Sequence, residues 1–402
     1  MRCLLVLLVV LLTLPTRAED QPTWREALTE ALTVSAPNGA WKAQVSGAVT
    51  LEAYRGHQGN PGLVFSESDP FIHPRLTLFL DAELGRELYA FVQARVDRGF
   101  DPGADPMGVR LDEYALRYTP QGRGISVQIG QFATVIGNWV ARHDVWQNPF
   151  VGAPLPYEYL TGAYDERAPS GLQDLGPGAG VDEYAYLPVV WGPSYATGIS
   201  LSGRKGGIEY AVELKNAGPS SRPDAWPITE VGFSHPAFSA RLAYRPDLRL
   251  KLGLSYSDST YLLPSAARTL PSGRRFSDYR QRLFSQEFSY EWRHLQVWAE
   301  AFHSSFDVPG GSARTTAGYV ESRYKVTPQL FLALRWNRQT FSTIDAGASR
   351  ARWGVNTTRY DLAAVYRFTP DSQFKAQVTS NRPSGDTSEV GVAYAVQYCL
   401  RF

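Results

Sequence analysis

Residues 389–402 read EVGVAYAVQYCLRF, and the reading of this stretch decides the fold. Val390, Val392, Tyr394, Val396, Tyr398, Leu400 and Phe402 form one apolar and aromatic face. The residues between them, Glu389, Gly391, Ala393, Ala395, Gln397, Cys399 and Arg401, are small or polar. Strict period-two alternation over this length describes a β-strand whose two sides meet different solvents. In a soluble sheet such a strand would leave an unpaired apolar edge open to aggregation. A closed barrel in a bilayer removes the edge, because the last strand pairs with the first and its apolar face meets acyl chains.

Fifteen earlier segments repeat the alternation: 41–54, 75–84, 88–97, 109–118, 125–132, 195–203, 208–215, 238–245, 248–257, 284–292, 295–303, 318–325, 330–337, 359–367 and 374–380. The connections after even-numbered segments are short, and those after odd-numbered segments are long and rich in Gly, Pro, Ser and Asp. Short turns on one side and long loops on the other are the layout of an antiparallel transmembrane barrel. Leu76, Leu78 and Leu80, like Leu330, Leu332 and Leu334, are placed against lipid, and Phe402 with them. The fold predicted is all-β: a 16-stranded antiparallel transmembrane β-barrel over 41–402, with both termini on the side of the short turns.

Residues 1–18 have the order of a secretory signal: Arg2, an apolar run of eleven residues from Leu4 to Leu14, then small residues before a cut after Ala18. The run is too short to span a bilayer as a helix. Residues 19–40 form a polar leader in which Trp24, Ala27, Leu28, Ala31 and Leu32 recur at helical spacing, ended by Pro37-Asn38-Gly39. A short periplasmic helix at the barrel mouth is expected there. Once the signal is removed, 38 basic residues face 39 acidic ones, which excludes a dedicated nucleic-acid binder. Cys399 is then the one cysteine, so no intramolecular disulfide is available. Aromatic residues make up 13% of the chain, a composition suited to membrane interfaces.

The longest connection, 133–194, is the third outer loop. A loop of that size without strands is usually functional, and a sixteen-stranded lumen is too wide for side chains alone to fill. It is therefore expected to fold inward as the pore constriction. Its charged residues include Arg142, His143, Asp144, Glu158, Asp165 and Glu166, an acidic excess. On the wall, Arg75, Arg95, Glu113 and Arg117 point inward by parity, with Arg75 and Arg95 able to stand side by side. An acidic loop against a basic wall would set a transverse field and tilt selectivity toward cations or neutral solutes. The loop rings Trp139, Trp146, Tyr157, Tyr159, Tyr164 and Trp191 could form a sugar slide, or pack the loop together.

The terminal strand resembles the C-terminal insertion signal of bacterial outer-membrane barrels. The whole layout, sixteen strands with a long third loop, resembles bacterial porins of the general diffusion type and of the phosphate-selective type. The resemblance implies a Gram-negative outer-membrane channel whose third loop sets the constriction, with outer-membrane lipid, small hydrophilic solutes and ions as partners. It also admits a homotrimer. The phosphate-selective type uses basic loop residues, which this loop lacks. A phosphate or sugar channel and a sleeve for a partner protein are the alternatives. No G-x-S-x-G motif and no metal-ligand spacing among the histidines suggests an enzyme or a cofactor, and His143-Asp144 is a poor acid–base pair on sequence grounds.

Overall fold

The computed structural model describes residues 24–56, 69–99, 106–176, 179–181, 185–222, 232–346, 349–384 and 390–402. The signal segment 1–18 lies outside them. Sixteen antiparallel strands form the barrel: β1 (Trp41–Arg55), β2 (Phe71–Leu84), β3 (Leu88–Asp97), β4 (Gly108–Tyr118), β5 (Ile125–Phe132), β6 (Ala196–Lys205), β7 (Ile208–Lys215), β8 (Ala237–Tyr244), β9 (Leu250–Thr260), β10 (Arg280–Trp292), β11 (Leu295–Val308), β12 (Gly311–Lys325), β13 (Leu330–Phe341), β14 (Thr357–Arg367), β15 (Ser372–Pro383) and β16 (Gly391–Arg401). Each pairs with its sequence neighbour, and β16 returns to β1 with Gln397 opposite Glu52. Closure leaves no lipid-facing edge, as a bilayer core requires.

The outer face is apolar where the alternation said it would be. Leu334 and Leu362 stand 59% and 53% exposed, while their neighbours Arg335 and Asp361 turn inward and are buried. Trp41, Tyr118, Tyr244, Trp292, Tyr324 and Tyr366 ring the end that carries the short turns. Tyr256, Trp336, Tyr360 and Tyr394 stand nearer the loop end. Such paired belts of amphipathic rings mark the two interfaces of a membrane barrel. The backbone of Phe402 exchanges hydrogen bonds of 3.0 Å with Gly47, and the residue is half-buried at the seam. A Cβ at Gly47 would lie 2.6 Å from the Phe402 ring, so the glycine makes room for the terminal aromatic.

The helix α1 (Trp24–Ala31) forms as its spacing predicts, at the short-turn end. Arg25 bonds Asp371 of the β14–β15 turn at 2.7 Å. A short strand, Thr33–Ser35, then pairs with Lys42–Gln44 of β1, just beyond the point where β16 ends. The otherwise free edge of β1 is covered by the chain's own leader.

Two features differ from the alternation read off the sequence. First, β11 and β12 run on to a two-residue turn, Pro309-Gly310, with Gly310 at φ +87°, instead of ending near His303. One outer connection is therefore tight, and the short–long alternation has this exception. Beyond the belt the polarity of these strands inverts. Phe302, Phe306, Val308 and Ala313 point inward and are buried, while His303, Ser305 and Arg314 face out. Second, β4 carries a bulge where the register to β3 slips between Gln93 and Ala94. Asp112 and Glu113 are thus adjacent in sequence yet both directed into the lumen, the local effect expected of one extra residue in a strand. The carbonyls of Leu111 and Asp112 freed at the bulge accept from the Gln131 amide at 3.1 and 3.0 Å.

Candidate pore and its constriction

The third loop leaves β5 at Phe132 and crosses the lumen. Gly137 allows the first bend, with φ +83°, and an added Cβ there would lie 2.1 Å from the Tyr157 hydroxyl. Proline residues and single 3-10 turns (Val140–Arg142, Leu155–Tyr157, Leu172–Asp174) keep the loop compact without strands of its own. Its backbone polar groups are satisfied by side chains of the far wall, as buried groups must be. Glu300 on β11 accepts from the Asn138 and Trp139 amides, the latter at 3.1 Å, and from the Tyr157 hydroxyl at 2.7 Å. Asn337 accepts from Leu155 N at 3.1 Å and Gln377 from Val151 N at 2.7 Å. Arg335 donates to the Gly152 carbonyl, and Lys375 and Gln373 both donate to that of Val145.

Apolar contacts complete the docking. Ile136, Trp139, Val140, Ala153, Tyr157, Val189 and Val190 pack on Leu283, Phe302, Ala317 and Tyr319. Farther along, Tyr164, Ala168, Leu175 and Leu187 join Tyr261, Phe306, Phe341 and Trp353 in a second cluster toward the loop end. The loop thus fills the half of the lumen beside β10–β14. A passage of about 490 Å³ with a mixed polar and apolar lining lies beside β1–β4 and the C-terminal strands. It meets a cavity of about 770 Å³ beneath the loop at His143 and Gln147.

The residues expected at the constriction divide between the passage and the anchor. His143 and Asp144 line the open passage. Glu158 does not: it is buried in an ion pair with Arg359, which also donates to the Ala153 carbonyl. Asp165 is buried with Arg222 at 3.5 Å, and Glu166 bonds the same guanidinium at 3.2 Å. Arg142 is tied to Glu321 and to the Tyr319 hydroxyl. The expected acidic loop face is therefore not formed. Loop acids satisfy buried arginines, because a charge taken out of water needs a partner at close range.

Arg75 and Arg95 do stand together, joined through Asp97 at 3.2 and 2.9 Å. Arg75 also bonds Glu52 at 3.4 Å, Arg95 lies 3.4 Å from Asp112, and Arg110 bonds Asp112 at 2.6 Å. Three guanidiniums meet three carboxylates, so this wall is a neutralised network, not a basic face. Arg110 and Asp112 escape a reading by parity because the β4 bulge turns them inward. Glu113 accepts from the Ala133 amide at 2.8 Å, at the loop's root. Arg117 sits nearer the short-turn end, bonded to Gln128 at 2.9 Å and laid over Tyr89 and Phe91.

His143 and Asp144 act separately. Since the Val140 carbonyl can only accept, His143 Nδ1 donates to it at 2.6 Å and Nε2 accepts from the Tyr195 hydroxyl at 2.8 Å. Asp144 instead accepts from the Trp146 and Gln147 amides at 2.8 and 3.1 Å. The loop rings pack: Trp139, Tyr157, Tyr164 and Trp191 are buried. Trp139 and Trp191 also border the passage, as does the half-buried Trp146, which has Arg401 over its ring at 3.8 Å. Among the described residues no group of His, Cys, Asp and Glu is arranged to hold a metal.

No protein-family model matches this sequence, and no curated protein matches it. Solved structures do. OmpF of Salmonella typhi, determined in complex with daunomycin, superposes with TM-score 0.58 at 14% identity, over 92% of this chain and 100% of that one. The outer membrane channel DcaP of Acinetobacter baumannii gives 0.57 at 12% identity, over 92% and 99%. An anion-selective porin from Comamonas acidovorans gives 0.56 at 10% identity, over 90% and 100%. At these identities the likeness is one of fold, and the chain has the closed antiparallel barrel fold of outer-membrane porins.

Proposed function

We propose that the protein is an outer-membrane porin through which small hydrophilic solutes and ions diffuse passively, without catalysis. The observation that carries this reading is the passage, lined by Glu52, Arg75, Arg95 and Lys375 among apolar residues, beside a loop that is otherwise bonded to the wall along its length. In this reading residues 1–18 direct export, the short turns and α1 face the periplasm, and the belts sit at the two lipid interfaces. A homotrimer, which the porin resemblance admits, is decided by the mass of the detergent-solubilised protein.

Charge selectivity is weak and leans toward anions. The Arg75–Arg95–Arg110 group is balanced by Glu52, Asp97 and Asp112, and Glu158 and Asp165 are consumed by Arg359 and Arg222. That leaves Asp144 as the loop's acid on the passage, while Lys375 and Arg401 line the same space. Purified protein in planar bilayers should give stepwise conductance with a small reversal potential of anion sign in a salt gradient. A protein that inserts and never conducts overturns the channel reading.

A further inference from the structure

We propose that the outer wall carries a binding groove for a lipid whose headgroup bears an anionic phosphate, seated across β10–β13 at the loop end. A groove of about 440 Å³ opens on this face. It arises from a gap in side-chain size. At the level of the loop-end belt, one register row runs Phe288, Ala299, Val320, Trp336 and Tyr360. The next row toward the loops runs Gln286, Ala301, Gly318 and Arg338. The rings of Phe288 and Trp336 are therefore the walls, and Ala299, Ala301 and Gly318 the floor. A Cβ at Gly318 would lie 2.7 Å from the Glu300 carbonyl oxygen, so the close approach of two backbones keeps the floor bare. On β9 and on the turn half of β13 the same face is filled by Leu252, Leu254, Leu332 and Leu334.

The loop end of the groove is basic. Arg338 borders it two residues beyond Trp336, roughly 7 Å farther along the strand. Just past an aromatic belt is the depth at which headgroups replace acyl chains. One N–H of Arg338 donates to the Thr358 hydroxyl, which holds the guanidinium fork against the wall. Arg382 continues the row opposite Thr358, over the Tyr360 ring at 5.4 Å. Nearer the loops, His303 meets the Thr316 hydroxyl at 3.2 Å, and Arg314 stands exposed opposite Ser305. Among the described residues none of Arg314, Arg338 and Arg382 has an ion-pair partner. The acids that face outward beside them are already taken, Asp307 by Arg282 at 2.9 Å and Asp258 by Arg280 at 2.6 Å. Positive charge at headgroup depth above an apolar floor matches a lipid phosphate with an acyl chain beneath it. The planar forks suit phosphate oxygens, whereas a zwitterionic headgroup would bring its own cation against them.

The test is native mass spectrometry of the whole protein in detergent, which reads bound lipid directly and is independent of conduction. The probes are dioleoyl phosphatidic acid, dioleoyl phosphatidylcholine and glycerol 3-phosphate. Wild type should hold phosphatidic acid about tenfold more tightly than phosphatidylcholine, and should not hold glycerol 3-phosphate, which has the headgroup without the chains. Arg338→Gln should weaken phosphatidic acid about tenfold, the loss of one charge-assisted pair. Ala301→Leu fills the floor, leaves every charge in place and should weaken it by a similar factor. The two variants act on opposite ends of one ligand, and heat-modifiable migration shows which of them assemble. Equal retention of the two lipids overturns the proposal, as does glycerol 3-phosphate held as tightly as the lipid. So does retention unchanged in an assembled Arg338→Gln or Ala301→Leu protein. If Ala301→Leu instead dissociates an oligomer without changing lipid retention, the face is an interface between copies of this chain and the lipid site is refuted.

Discussion

Replacing Glu300 with alanine tests whether the constriction is a loop held from the far wall. The carboxylate accepts three donors of the loop, the Asn138 and Trp139 amides and the Tyr157 hydroxyl, in a buried setting. Leaving a buried donor unpaired costs about 1–3 kcal/mol. Asn138 borders the cavity under the loop, so water can reach part of the vacated site and the low end of that range applies. Relief of the like-charged neighbour Glu287, directly opposite on β10, offsets little because Arg241 already binds it at 2.9 Å. The docked loop should therefore lose about 3 kcal/mol relative to undocked arrangements, roughly a hundredfold in their ratio. Single-channel recording is the assay. Glu300→Ala should flicker to a larger conductance level, whereas Glu300→Gln, whose amide oxygen still accepts the two backbone N–H groups, should stay close to wild type. Heat-modifiable migration should be unchanged, since no inter-strand ladder is touched. A quiet Glu300→Ala trace at the wild-type conductance would refute the anchor.

Four other outcomes are expected. Deleting Phe402, or introducing Gly47→Val beneath its ring, should lower the fraction of assembled barrel in membranes while assembled channels conduct normally, because both act at the closing seam. Asp144→Asn keeps a side-chain oxygen for the Trp146 and Gln147 amides while removing a charge from the passage, so the reversal potential should move toward anions. Glu158→Gln should leave selectivity alone and raise current noise, its carboxylate being spent on Arg359. Arg95→Ala leaves Asp97 and Asp112 short of one counter-charge and should move the reversal potential toward cations.

The barrel was legible because its physics is local: a strand between lipid and a wet lumen must alternate, and the segments 88–97 and 125–132 coincide with β3 and β5 to within a residue. What escaped the sequence are the places where one of the two solvents changes. In the outer parts of β11 and β12 the lumen side is dry because the loop packs there, so Phe302 and Phe306 point in and alternation continues with inverted sign. At the β4 bulge, two successive acids face the same way, and strict parity sends Arg110 and Asp112 to the wrong side. The loop's fold into the lumen was legible from its length. Which of its charges would see solute was not, because Glu158 and Asp165 find their partners more than fifty residues away in sequence, on β14 and in a later loop.

The anchoring of the third loop also dictates an order of events during assembly. The loop springs from β5, yet its partners Glu300, Asn337, Arg359 and Gln377 lie on β11 to β15, between 143 and 226 positions later. While the first strands pair with one another, the loop's amides and its Arg142 have no protein partner and must keep their water. They can exchange it only as the second half of the wall arrives, and the seam between Gln397 and Glu52 shuts the cylinder across 345 positions. Contacts so distant in sequence form slowly, since chain entropy is lost before they give any return. The docked constriction is thus a late feature of folding, because it needs the second half of the wall.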